Sequence, residues 1–138
     1  MGYRVSSGQL VDGAAGNANP IPVASTGVKY TKAINIQYSQ VPLSLSYQLA
    51  GATPDVQIDI ETSVDGNPPI TEGAASNNFI IPAALATPIV ADETSTNWKM
   101  VSITQLTSKW IRFKLTGKNS NPSTTTLNGY LHEQSELG

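Results

Sequence analysis

A strict two-residue alternation of apolar and polar side chains is the feature that most constrains this chain. It is cleanest at Leu43, Leu45, Tyr47 and Leu49, with Ser44, Ser46 and Gln48 between them. Successive side chains of a strand point to opposite faces, so such a run reads as a half-buried strand and not as a helix. The period recurs at Ile34, Ile36 and Tyr38, at Val56, Ile58, Ile60 and Val64, and at Ile111, Phe113 and Leu115. A last run places Leu127 and Leu131 inward, with Asn128, Tyr130 and His132 outward. Apolar pieces at residues 79–81 and 89–90 read as further short strands. Residues 92–108 fit a helical turn through Trp98, Val101 and Gln105, or a strand through Trp98, Met100 and Ser102; context favours the strand. Turn residues punctuate the runs, notably Gly51 and Pro54, the Asp65-Gly66-Asn67-Pro68-Pro69 cluster, and Gly117 through Pro122. The runs flanking Gly51 are expected to pair as a hairpin.

Seven or eight short alternating strands with no convincing helix predict an all-β fold, a two-sheet antiparallel sandwich. A jelly roll is the preferred topology, although periodicity does not separate it from an immunoglobulin-like sandwich. With 138 residues the chain fits one domain. Residues 1–30 read differently, because Gly8, Gly13, Gly16, Asn17, Pro20, Pro22 and Gly27 interrupt every apolar run. They are expected to form an extended N-terminal arm or long loop, interrupted by one short strand near residues 3–11. Residues 31–138 are expected to form the sandwich. Leu10, Val11, Ile21 and Val23 on the arm lack partners in this reading, so the arm is expected to lie on a neighbouring subunit, and its removal to leave the sandwich folded.

Composition closes several routes. There is no cysteine, so neither a disulfide framework nor a thiolate metal site is available. Only 13% of residues are charged and the net charge is −2. With no basic cluster, the counterion release that drives nucleic-acid binding is missing, and no nucleic-acid partner is expected. The most apolar stretch, residues 80–91, is broken by Pro82 and Pro88 and falls short of the roughly 20 residues needed to span a bilayer, so no membrane partner is expected. The N-terminus has no apolar signal region, which fits synthesis in a host cytoplasm without cleavage.

The candidate chemistry is thin. Asp59 and Glu61 lie two apart on one strand face, about 7 Å by strand rise, a separation that any such pair satisfies. His132 is the only histidine, so a histidine-rich metal site is excluded and a serine triad would have to use it. Asp55, Asp65, Asp92 and Glu93 could supply oxygen ligands for calcium, but their spacing matches no calcium loop. No glycine motif suits a phosphate. No enzyme activity, cofactor or metal is expected. The outward set Trp110, Arg112 and Lys114 on one strand, with Tyr130 on the last, is the candidate interface, since exposed Trp and Arg are enriched at contact surfaces. Trp110, Tyr130 or Trp98 could equally stack on a sugar, so a carbohydrate- or receptor-binding module is the alternative.

The segment Val56-Gln57-Ile58-Asp59-Ile60-Glu61-Thr62-Ser63-Val64-Asp65-Gly66, followed by Lys109-Trp110-Ile111-Arg112-Phe113-Lys114-Leu115-Thr116-Gly117 and Leu127-Asn128-Gly129-Tyr130-Leu131, resembles small jelly-roll capsid decoration (cement) proteins of tailed bacteriophages. The resemblance covers residues 33–133. It implies a virion structural protein on the outer capsid surface, bracing contacts between major capsid protein subunits and assembling as a homodimer or homotrimer. It supplies no catalytic residue.

Overall fold

The computed structural model describes residues 3–14, 18–37, 39–68, 71–85, 87–104, 108–118 and 124–136. The strands are β1 (Tyr3–Gln9), β2 (Ile21–Val23), β3 (Val28–Tyr30), β4 (Ile34–Asn35), β5 (Gln40–Ala50), β6 (Val56–Ser63), β7 (Phe79–Ile80), β8 (Val90–Glu93), β9 (Lys99–Ile103), β10 (Trp110–Gly117) and β11 (Thr125–Glu136). A single 3-10 turn, Ala83–Leu85, is the only helical element among the described residues.

All pairings are antiparallel and fall into two sheets. The first runs β1-β11-β5-β9, with β2 continuing the β1 position along β11. The second runs β3-β10-β6-β7, with β4 beside β3 on β10 and β8 beside β7 on β6. When β1 and β2, β3 and β4, and β7 and β8 are each taken as one position, eight positions result. The first, eighth, third and sixth form one sheet, and the second, seventh, fourth and fifth form the other. That order is a jelly roll, the topology preferred from the alternation.

The core fills the gap between the sheets. Leu43, Leu45 and Leu49 of β5 with Leu127 and Leu131 of β11 face Ile58 and Ile60 of β6 and Ile111, Phe113 and Leu115 of β10. All are essentially inaccessible to water, and each such side chain is worth about 1.5–3 kcal/mol against exposure. The expected inward faces of β5, β10 and β11 are therefore the real ones. Residues 99–103 are a strand, as context favoured, and Met100 and Ser102 face outward. Tyr38 and Gln105 lie outside the described residues.

Several expectations are corrected. β5 and β6 do not form a hairpin: β5 pairs with β11 and β9, while β6 pairs with β10, β7 and β8. Residues 51–55 carry the chain across the sandwich. Alternation marks the side that faces the core and is blind to which sheet a strand joins. Val64 is 57% exposed because β6 has ended before it.

Residues 1–30 are not a detached arm. β1 and β2 line one edge of the 12-residue β11, and β3 pairs with β10. Leu10, Ile21 and Val23 are buried core residues, and Val11 is half-buried with its carbonyl accepting from Lys32 N at 2.9 Å. β2 and β3 are three residues each, too short to register as a period, and the described side chains of β1 are all exposed, so none of the three shows the alternation of a core strand.

Candidate binding face

Arg112 was read as outward, but it is fully buried. Inward-facing Ile111, Phe113 and Leu115 serve the core, and the opposite face of β6 and β10 is covered in turn by the loop of residues 71–79. Arg112 Nε donates to Glu61 Oε1 at 2.8 Å, and Nη1 donates to the carbonyls of Glu72 and Ala74 at 2.9 and 2.8 Å. Its guanidinium lies 4.1 Å from the Tyr30 ring centroid and 5.0 Å from that of Phe79. The loop seats closely: a Cβ on Gly73 would come within 2.5 Å of Ala14 N, so only glycine allows this approach. Asp59, also buried, accepts from Gln57 Nε2 at 2.8 Å. The Asp59 and Glu61 pair is thus built into a covered layer and does not face a solvent cleft. Trp110 is half-buried at the start of β10, and Lys114 is half-buried in register with Tyr30 and Asp59. The expected trio does not form a common outward surface.

Tyr130 does face solvent, on the outer face of the first sheet. There β11 has β1 on one side and β5 on the other, with β9 beyond β5. The register sets Gln9, Tyr130, Ser46 and Met100 in one row across four strands, and Ser7, His132, Ser44 and Ser102 in the next. Trp98, just before β9, stacks on Tyr130 with ring centroids 6.1 Å apart and planes tilted by 30°. Trp98 is 49% exposed and Met100 66%. Gln9 Nε2 lies 3.4 Å from both Asn128 Oδ1 and the Tyr130 hydroxyl. His132 sits between two serines, with Ser7 Oγ 2.7 Å from Nδ1 and Ser46 Oγ 2.8 Å from Nε2. Each serine hydroxyl can donate to or accept from the ring nitrogen it meets. Neither row contains an Asp, Glu, Lys or Arg.

The segment that presents Trp98 is anchored. Tyr47 donates its hydroxyl to Glu93 Oε1 at 2.7 Å, Ser95 N donates to Glu93 Oε2 at 3.4 Å, and Lys99 Nζ lies 3.6 Å from Oε1. Gln48 Nε2 donates to the Thr96 carbonyl at 3.2 Å. Burial works to raise the Glu93 carboxyl, but the Tyr47 hydroxyl, the Ser95 amide and Lys99 together outweigh it and hold it below its usual value. Burial, and then Glu93, pushes the Tyr47 phenol well up.

Of the acidic residues considered for calcium, Asp55 and Asp92 come together with a carboxyl–carboxylate hydrogen bond, while Asp65 accepts from Asn67 N in its own turn. Among the described residues no group of three or more His, Cys, Asp or Glu is arranged to hold a metal ion, and no helix is long and apolar enough to cross a membrane. Trp98 and Tyr130 were each recognisable as stacking residues in the sequence. Their pairing was not, because it depends on β9 and β11 flanking the same strand.

No protein-family model matches the chain, and no curated protein matches it. Solved structures do. A chain from the structure of infectious bursal disease virus, Gx strain, is similar over 99% of this chain, with 11% identity and a TM-score of 0.50. This chain spans 33% of the length of that viral chain. The Yersinia pseudotuberculosis-derived mitogen is similar over 99% of this chain and 86% of its own, with 11% identity and a TM-score of 0.37. At such identities the likeness to the viral chain concerns the fold, an all-β sandwich also found in a virus.

Proposed function

We propose that this chain is a non-enzymatic structural protein of a virion, bound to the outer capsid shell of a tailed phage and bracing contacts between major capsid protein subunits. The observation that carries the reading is the jelly roll itself, which matches a chain of a virus structure across 99% of its length. The decoration-protein resemblance of residues 33–133 points the same way. The titratable groups considered for catalysis support it: both ring nitrogens of His132 meet serine hydroxyls and no carboxylate, and Asp59 and Glu61 are buried in a structural layer.

The contact element in this reading is β1. Among the described residues it pairs with β11 on one side and ends the sheet on the other, and its described side chains, residues 5–9, are all exposed. Proteins blunt such edges with charged side chains, Pro or bulges, and after Arg4 the run Val5-Ser6-Ser7-Gly8-Gln9 carries none of these. A strand from a capsid subunit, or from a second copy in a homodimer or homotrimer, can extend the sheet there through main-chain hydrogen bonds.

Co-sedimentation with shells assembled from the major capsid protein of the virus that encodes this chain tests the reading. Binding should persist at moderate salt, because few charges take part, and Val5→Lys should abolish it while leaving the melting temperature unchanged. Absence of shell binding by the unaltered chain overturns the proposal.

A further inference from the structure

We infer that the outer face of the β1-β11-β5-β9 sheet is a binding site for an uncharged glycan, with the Trp98–Tyr130 pair as its stacking platform. The inference is independent of the shell-binding role, because it uses the sheet face and not the β1 edge.

The occupant follows from the chemistry of the face. A pyranose offers an apolar face of C–H groups and a rim of hydroxyls that both donate and accept. Trp98 is half exposed, and its ring centroid lies 6.1 Å from that of Tyr130 with planes tilted by 30°, a separation in the range of ordinary ring packing, so the two rings form one aromatic patch. The side chains around it are amides and hydroxyls, chiefly Gln9, Asn128, Ser46 and Ser7, and these too both donate and accept. Gln9 bonds to Asn128 and to the Tyr130 hydroxyl, and Ser7 and Ser46 both bond to His132, all across neighbouring strands, which restrains their orientation before any ligand arrives.

Charge decides between sugar classes. The two register rows hold no carboxylate, ammonium or guanidinium. With Lys99, next to Trp98, paired to Glu93, these rows offer a sialylated or sulfated glycan no counter-charge, and a neutral one leaves no charge unpaired. The anchoring of residues 93–99 by Tyr47 and Gln48 keeps the platform in place without a ligand, so little ordering cost falls on binding. Four strands at the usual spacing make the face about 14 Å wide, room for a short oligosaccharide lying across the strands.

The test is calorimetric titration of the full chain with uncharged oligosaccharides of the gluco, manno and galacto series, and with sialylated and sulfated counterparts. A neutral member should bind saturably. Trp98→Ala should weaken it by roughly thirtyfold, the size of a hot-spot truncation, while Trp98→Tyr restores part of the affinity. Thermal melting of each variant confirms that the half-exposed site has been changed without unfolding. Val5→Lys should bind the sugar as the unaltered chain does, which separates this site from the shell contact. The inference is overturned if no neutral glycan binds, if binding survives Trp98→Ala, or if charged glycans bind more tightly. Loss of shell binding in Trp98→Ala without any sugar binding would assign the face to the capsid protein instead.

Discussion

Replacing Glu61 by alanine should be among the most damaging single changes in the chain, although the sequence alone suggests a surface carboxylate. The substitution leaves Arg112 fully buried with a charge that no longer has a counter-ion. Two backbone carbonyls and two aromatic faces still surround the guanidinium, and Nη2 already has no acceptor among the described residues. Breaking one side of a buried pair costs about 3–5 kcal/mol. For a chain of this length about 1 kcal/mol moves the melting temperature by some 3 °C, so a fall of about 10–15 °C is expected. Urea unfolding followed by tryptophan fluorescence measures the free energy directly, with Trp110 on β10 as the local reporter. Glu61→Gln, which can still accept from Nε, should cost less than Glu61→Ala. The paired change Glu61→Leu with Arg112→Met should recover most of the loss, because a well-packed apolar pair replaces a buried ion pair at little cost. A Glu61→Ala chain within about 1 kcal/mol of the unaltered one would refute the argument, since only a solvated Arg112 loses so little.

Ile58→Asp places an unpaired carboxylate among Ile60, Phe113 and Leu115, and thermal melting should show a cooperative transition that is largely lost or displaced by tens of degrees. An unchanged transition would mean that the β6 register is off by one residue. Asp92→Asn should stabilise the chain at neutral pH. The hydrogen bond to Asp92, followed by burial, holds the Asp55 carboxyl above its usual range, and for an acid with a raised folded pKa stability declines as pH rises through that value. The gain should shrink as pH falls and the Asp55 carboxyl takes up its proton; a difference that stays undiminished in acid would show that charge is not the cause.

Legibility in the sequence followed the number of inward residues a strand contributes. β5, with Leu43, Leu45, Tyr47 and Leu49, and β10, with Ile111, Phe113 and Leu115, announce both their existence and their faces. β2 and β3 are three residues each and announce neither. A covered second face also leaves no period, because polar residues occupy it: Asp59, Glu61 and Arg112 read as solvent-facing until loop 71–79 is seen to lie over them. Sheet membership was not legible either, since β5 and β6 show the same alternation from opposite sides of the core. The candidate face shares this origin. Its residues were visible singly, and their assembly is a property of the jelly-roll order.

The first thirty residues offer the sharpest contrast, because they divide into a dispensable and an indispensable part. Removal of residues 1–9 deletes β1, whose described side chains are all exposed, and strips β11 of one edge partner over residues 130–136. None of the described side chains removed is a buried apolar one. That truncated chain should fold with a modest drop in melting temperature, lose shell binding with the β1 edge, and bind sugars more weakly for want of Ser7 and Gln9. Removal of residues 1–28 is a different perturbation. It deletes Leu10, Ile21 and Val23, which are 2%, 0% and 1% exposed, together with β2 and the first residue of β3. At about 1.5–3 kcal/mol each, the three side chains alone remove about 5–9 kcal/mol, comparable with the whole stability of an ordinary domain. Asp12 goes too, leaving Lys29 without the carboxylate it meets at 2.9 Å. The longer truncation should therefore yield a chain with no cooperative melting transition and strong binding of a hydrophobic dye, whereas the shorter one melts cooperatively. A chain starting at Lys29 that melts sharply near the full-length value would show that these residues are an appendage to the sandwich after all.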